Sequence, residues 1–194
     1  ELAAMPCAFG TAANLLSRAG ASAGSRILVT GASGGVGLAA VALAKALGAT
    51  VTGVCAAFKA LAVGQAGADA TIARGEPLPK DSFDIVIDVV GGPGWMALID
   101  ALRPGGHYAV SGAIAGPVVG ADLRRIYLRD ITLHGCTYQP PEVFAALVEK
   151  INAGQVRPLV SKTYPLRDIG TAQADFMSKT YPGKLVLIPP EIPQ

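Results

Sequence analysis

Apolar positions along this chain come in short bursts divided by turn residues, and the period within each burst distinguishes helix from strand. AFGTAANLLSRA at 8–19 predicts a helix entered from Pro6 and left at Gly20. RILVT at 26–30 is a brief β-branched run, the pattern of a buried strand. GASGGVG follows at 31–37, then LAAVALAKALG predicts a long helix ending near Gly48. ATVTGVC at 49–55 is a second strand. Residues 58–66 form a weaker helix, in which Gly64 costs about 1 kcal/mol relative to alanine. ATI at 70–72 and FDIVIDVV at 83–90 are further strands; the second is followed by Gly91-Gly92-Pro93-Gly94 and a helix through Leu102. HYAVSG at 107–112 and ITLHGCT at 131–137 are two more strands, and a helix over 142–153 follows.

Strands alternate with helices, and the central strands are apolar on both faces. That pattern predicts a doubly wound α/β fold with a six-stranded parallel sheet covered on both sides. The character changes after Gly154. A proline-broken strand at 157–166, a helix at 168–179 with Asp168 as its N-cap, and a strand at 182–189 are too few to build a second core. The expected division is therefore a nucleotide-type domain over 1–154 and, over 155–194, a partial segment that docks onto a catalytic domain preceding residue 1. The alternative is that residues 155–194 extend the first sheet.

Composition narrows the classes. Hydrophobic residues are 51% of the 194 and charged residues 15%, sufficient for a core and far from the disordered regime. So little charge predicts that some of the surface is covered by a partner. The 16 Lys and Arg against 14 Asp and Glu leave +2, scattered except for Arg124-Arg125, so no nucleic-acid partner is expected. Cys7, Cys55 and Cys136 include no CxxC pair and cannot form a disulfide scaffold. No run approaches the ~18 uninterrupted apolar residues of a membrane span, and no secretory signal is read at the start. The expectation is a cytoplasmic protein whose chain begins within a domain.

The strongest local signal is Gly31-Ala32-Ser33-Gly34-Gly35-Val36-Gly37 between a strand and a helix. Glycines there permit a tight turn and bring backbone N–H groups, with the helix dipole behind them, up to a pyrophosphate. Ala32 stands where the commoner GxGxxG has its first glycine, which requires a turn without positive φ at that position. A purely structural turn is the alternative reading. No Gly-Lys-Ser/Thr follows, which excludes a Walker A loop. An NAD site usually carries an acid at the end of the second strand for the ribose. Here that position is Cys55, then Ala56, and no acid occurs between Glu1 and Asp69. Lys59 is close enough to pair with a 2′-phosphate, so NADP(H) is the preferred cofactor and NAD(H) the second choice. Phe58 reads equally as an adenine stacker or as core. Val90, Gly91, Ser111 and Gly112, at the ends of later strands, are expected to line the same crevice. Asp88 is expected to cap the loop after it.

Chemistry-bearing side chains are sparse. His107 and His134 lie within strands without an acidic partner and read as structural, and no tyrosine has a lysine four residues later. No cluster has structural-zinc spacing. Cys7 has three readings: buried packing, a redox thiol, or one ligand of a metal site completed elsewhere. No catalytic residue is assigned. A methyltransferase wants an acid where Cys55 stands; a cofactor-sensing module remains the non-enzymatic alternative.

MPCAFGTAANLLSRAG, RILVTGASGGVGLAAVALAKALGATVTGVC, AGAD, FDIVIDVVGG, ALRPGGHYAVSG, DLRRIYLRDITLHGCT and GKLVLIP, in that order, resemble the medium-chain dehydrogenase/reductase superfamily across essentially the whole chain. Its quinone oxidoreductase or enone reductase branch is the better match, with zinc-containing alcohol dehydrogenases next. The resemblance implies a Rossmann domain, a GroES-like catalytic domain ahead of residue 1, and hydride transfer from NADPH to a quinone, enone or similar conjugated carbonyl. It implies that Gly31, Ser33, Gly34, Gly35, Val36 and Gly37 hold the pyrophosphate and that positions 55–59 meet the adenosine ribose. Lys184 is implied near the cofactor, and Gly135-Cys136 near the nicotinamide side. NADPH-using relatives commonly have serine and arginine near 56 and 58, where this chain has Ala56 and Phe58. The strand 131–136 is implied to pair across a homodimer. Cys7 falls at a catalytic-zinc ligand position whose companions would precede residue 1, so this chain alone is not expected to hold zinc.

Overall fold

The computed structural model describes residues 2–190. After one 3₁₀ turn at Leu2–Ala4 the elements run α1 (Pro6–Arg18), β1 (Arg26–Val29), α2 (Gly35–Ala46), β2 (Thr50–Cys55), α3 (Ala60–Gln65), β3 (Ala70–Ala73) and β4 (Phe83–Asp88). They continue with α4 (Trp95–Ala101), β5 (Leu102–Val110), α5 (Arg124–Tyr127), β6 (Thr132–Gly135) and α6 (Pro141–Asn152). Six strands pair in the order β3-β2-β1-β4-β5-β6, every pairing parallel. The order reverses direction between β1 and β4, the point at which open sheets form a crevice beyond their C-terminal ends.

Both faces of the central strands are buried, as the unbroken apolar runs require. Ile27 and Val29 of β1 pack with Leu15 of α1, Val41 of α2 and Leu147 of α6. Leu28, between them, points the other way and packs with Val86, Trp95, Ile99, Leu102 and Tyr108. Fully burying such a side chain is worth about 1.5–3 kcal/mol, and all three of these β1 residues have no exposed area.

Two elements depart from the sequence reading. The strand expected at 107–112 begins earlier, at Leu102, and runs through Arg103-Pro104-Gly105-Gly106. The register jumps from Phe83↔Leu102 to Ile85↔His107, a bulge that absorbs the turn-like residues. Gly106 fits it because a Cβ there would lie 2.8 Å from the Arg103 carbonyl oxygen. The four-residue α5 was not foreseen; Asp122 accepts the Arg124 N–H at 3.1 Å at its start.

The C-terminal unit is β7 (Val160–Pro165), α7 (Ile169–Met177) and β8 (Lys184–Ile188). Its two strands pair with each other in parallel and do not join the six-stranded sheet; residues 191–194 lie outside the described residues. Asp175 ties α7 to β7, accepting the Tyr164 hydroxyl at 2.5 Å and the Lys162 ammonium at 2.9 Å. Asp168 occupies the N-cap position of α7 but makes no capping bond: the preceding 3₁₀ turn leaves its carboxylate 3.9 Å from Arg167 instead. Leu166, Ile169, Phe176, Met177 and Ile188 remain exposed on this unit.

At the opposite end of the sheet from the crevice, Asp84 joins β1 to β4. Its carboxylate accepts the Arg26 N–H at 2.7 Å and lies between the guanidiniums of Arg26 and Arg103. Burial raises its pKa, but the two guanidiniums and the N–H outweigh that and hold it at about 2. A carboxyl held below its unfolded value contributes stability at pH above 3.8 and loses it as the pH falls towards about 2. Asp84→Asn is therefore expected to lower the urea midpoint at neutral pH and to flatten its decline across that acid window.

Candidate functional site: a glycine cradle at the sheet switch point

Gly31 leaves β1 with φ +57°, and its neighbour Ala32 turns inward, fully buried. Ala32 does not adopt positive φ, and a Cβ on Gly53 would meet the Ala32 methyl at 2.9 Å. Alanine thus fits where the commoner motif has glycine because Gly53, on the adjacent strand, has no side chain and leaves room for the Ala32 methyl. Gly37 has no such freedom. A Cβ there would lie 2.2 Å from the Gly31 carbonyl oxygen and 2.7 Å from the Ala32 Cα. Helix α2 therefore starts in contact with the end of β1.

α2 has no side-chain cap at Gly34 and no acidic residue in its first turn. The first backbone N–H groups of its 12-residue span therefore face the crevice without a side-chain acceptor. Across this opening lies the C-terminal unit. The Gly183 N–H donates to the Ser33 carbonyl at 3.0 Å, and the Lys184 side chain runs over Gly35, its Nζ 3.1 Å from where a Cβ would sit. A cation beside the positive end of a helix is repelled unless an anion joins them. The uncapped N-terminus, the cradle that a Cβ would fill and Lys184 together fit a pyrophosphate.

Asp88, at the end of β4, organises the next loop. Fully buried, it accepts Thr30 Oγ1 at 2.5 Å, Tyr108 Oη at 2.6 Å, Val90 N at 2.8 Å and Gly91 N at 3.1 Å. Burial and the Asp88 carboxylate push the Tyr108 phenol far above its usual value, so it stays a donor. Asp88 is a loop cap, as its position predicts; Thr30 and Tyr108 completing the network is visible only after the strands pair. The Ala115 N–H donates to the Val90 carbonyl at 2.9 Å, and a Cβ on Gly92 would meet Ala115. The close approach that Gly91 and Gly92 permit is thus to the loop 113–116. Gly112 is needed because a Cβ would lie 2.7 Å from the Val89 carbonyl oxygen. Val90, Gly91, Ser111 and Gly112 are half-buried beside the cradle.

At the end of β2, Cys55 is buried, and burial pushes its thiol up against the opposing pull of Arg74 and Lys59. Ala56 continues extended into the turn Ala57–Lys59. Phe58 is 74% exposed, so it is not core; an aromatic face there is free to stack. The Lys59 Nζ donates to the Lys179 carbonyl at 2.5 Å. Cys136 lies at the far edge of the sheet with its side chain buried, and burial raises its thiol. Cys7 is exposed in the first turn of α1, which excludes its buried-packing reading. Among the described residues no three His, Cys, Asp or Glu side chains group to hold a metal, so they do not by themselves fit zinc.

His107 and His134, unpartnered in sequence, find each other. Their rings stack 5.3 Å apart, with Nδ1 of His107 3.0 Å from Nε2 of His134. One ring must donate and the other accept, so the pair cannot keep this bond doubly protonated. Burial, His107 and Arg18 all lower His134 below its ordinary 6.5.

Two outcomes are expected. Gly37→Ala should abolish dinucleotide binding in titration calorimetry and destabilise the fold, since backbone at both ends of the clash must move. Because the unfolded chain protonates His134 first, stability should fall as pH drops below 6.5; His134→Gln should flatten the urea midpoint between pH 7 and 5.5.

A family model for zinc-binding dehydrogenases matches residues 35–153. YhfP of Bacillus subtilis (strain 168), described as a quinone oxidoreductase, is 29% identical over 136 residues, covering 63% of this chain and 41% of its own length. A crystal structure described as an alcohol dehydrogenase from Sinorhizobium meliloti 1021 superposes with a TM-score of 0.93 at 43% identity, covering 97% of this chain and 55% of that one. The 2-octenoyl-CoA carboxylase reductase CinF, solved with NADP and 2-octenoyl-CoA, gives a TM-score of 0.91 at 25% identity over 100% of this chain and 51% of that one. The chain thus spans about half the length, or less, of these three proteins. It belongs to the zinc-binding dehydrogenase family and is a cofactor-binding domain of the medium-chain dehydrogenase/reductase superfamily.

Proposed function

We propose that this chain is the NADP(H)-binding part of an oxidoreductase that passes hydride to a quinone, an enone or a similar conjugated carbonyl. The observation that carries the reading is the uncapped start of α2, set in a glycine cradle with Lys184 laid across it. In this reading Gly35, Val36 and Gly37 offer backbone N–H groups to the pyrophosphate, Gly34 closes the turn by donating its N–H to the Gly31 carbonyl at 2.9 Å, and Lys184 neutralises the ligand's charge. Gly31 and Ser33 shape the turn. Val90, Gly91, Ser111 and Gly112 line the path towards the sheet centre. When bound, the nicotinamide supplies the hydride; the protein's part is to orient it and exclude water. Cys55 and Ala56 leave the ribose without a carboxylate, and Lys59 stands nearby, which favours the phosphorylated cofactor. CinF, solved with NADP, accords with that choice.

Residues 155–194 would return to a catalytic domain outside this chain, consistent with the exposed apolar side chains on their described part. Alone, the chain would bind cofactor and turn nothing over. β6 would pair with its twin in a homodimer: it is the outer strand, and Leu133, Leu123, Tyr127 and Leu128 are exposed on it or just before it. Among the described residues no helix is long and apolar enough to cross a membrane, and three free cysteines suit a reducing compartment such as the cytoplasm.

A second reading, the cofactor domain of a zinc alcohol dehydrogenase, draws on exposed Cys7 and on the Sinorhizobium meliloti relative. Titration with NADPH and NADH tests the cofactor. NADPH is expected to bind at least about tenfold tighter, a difference of about 1.4 kcal/mol. Preference for NADH would overturn the cofactor choice, and failure of both to bind the folded chain would overturn the site.

A further inference from the structure

Helices α1, α2 and α6 leave an apolar groove of about 390 Å³ between them, and no residue of the outer strand β6 lines it. Buried Leu16, Leu43 and Leu147 and half-buried Leu47 and Val143 form much of its wall. From α6, Glu142, Ala146 and Lys150 also reach it. Four positions apart, these three stand in one row along the helix surface. The two charges are therefore about 12 Å apart along the axis, one at each end of the row, with exposed Ala146 at the midpoint.

Neither charge is paired within the chain. Among the described residues no salt bridge engages Glu142 or Lys150. They cannot pair with each other, because on one helix only positions three or four apart meet. Each sign suits its own end of the α6 dipole, Glu142 in the first turn and Lys150 in the last. The dipole accounts for the two signs but not for the apolar groove that runs between them.

We propose that this groove is an interface between two copies of the chain, in which α6 of each protomer lies antiparallel against α6 of its partner across a two-fold axis at Ala146. Such an axis brings Glu142 of one protomer to the partner's Lys150, and Lys150 to the partner's Glu142. The row is self-complementary because its two charges are opposite in sign and equidistant from the axis. Ala146, at the crossing point, carries only a methyl, so the helix axes can approach to the ~8–10 Å of packed helices. A small apolar ligand would occupy the groove but leave both charges without counter-ions, whereas a second α6 uses the whole row.

The mass of the 194-residue chain across a concentration series, by light scattering, tests this. Five samples are compared: the unmodified chain, Glu142→Lys, Lys150→Glu, the double variant, and an equimolar mixture of the two single variants. Each single reversal sets like charges against each other at both ends of the interface. The concentration for half-association should then rise at least about tenfold. The double reversal restores both pairs, and in the mixture a protomer with two lysines meets one with two glutamates. Both are expected to associate as the unmodified chain does. If β6 pairs as well, the same comparison is read as a change from four copies to two. A role in the helix dipole alone predicts the reverse, with the double reversal the least stable variant in urea. An unmodified chain that stays unpaired at every concentration overturns the proposal and leaves the groove to a partner of other chemistry. Association that the single reversals leave unchanged overturns it by placing the contact on another face. Loss of pairing in the single variants, with no recovery in the double variant or the mixture, also overturns it, because the charges would then not face each other.

Discussion

The contact between the first turn of α2 and Gly31, where the glycine turn leaves β1, governs this structure. With Gly37 a bare Cα lying against the Gly31 carbonyl, α2 can descend onto the sheet at the point where the strand order reverses. Any side chain there would lift the helix away from β1. The N–H groups at its start would then no longer face the crevice beyond the strand ends. Gly53 and Ala32 extend the same economy sideways, a methyl on the turn filling the space left by a missing one on β2.

A single buried carboxylate does comparable work on the next strand. Asp88 draws Thr30 from β1, Tyr108 from β5 and two backbone N–H groups of its own loop onto one group. An unpaired charge at that depth would be strongly destabilising; one with this many donors fixes three strand ends relative to one another. The crevice is therefore rigid where β1, β4 and β5 end.

The C-terminal unit is part of this arrangement. Its strands form their own small sheet, yet Gly183 bonds the glycine turn through Ser33, and Lys184 lies across Gly35. Lys59 makes a second tie through Lys179. The C-terminal unit thus reaches the glycine turn from sequence positions more than a hundred residues away.

The sequence alone determined the order and type of most elements, because each carries its own period: β-branched runs buried on both faces, helices ended by glycine, and a glycine string between a strand and a helix. It also determined the absence of an acid after β2. Local pattern failed where a tertiary partner set the conformation. Arg103–Gly106 reads as a turn, but pairing with β4 draws it into β5 as a bulge. Phe58 could be core or surface by pattern; the turn after β2 exposes it. His107 and His134, which looked solitary, are paired by the β5–β6 register, and Arg74 is brought to Cys55 by the β2–β3 register. Such juxtapositions depend on which strands are neighbours and how they are aligned, and no residue's own neighbourhood in the sequence carries that information.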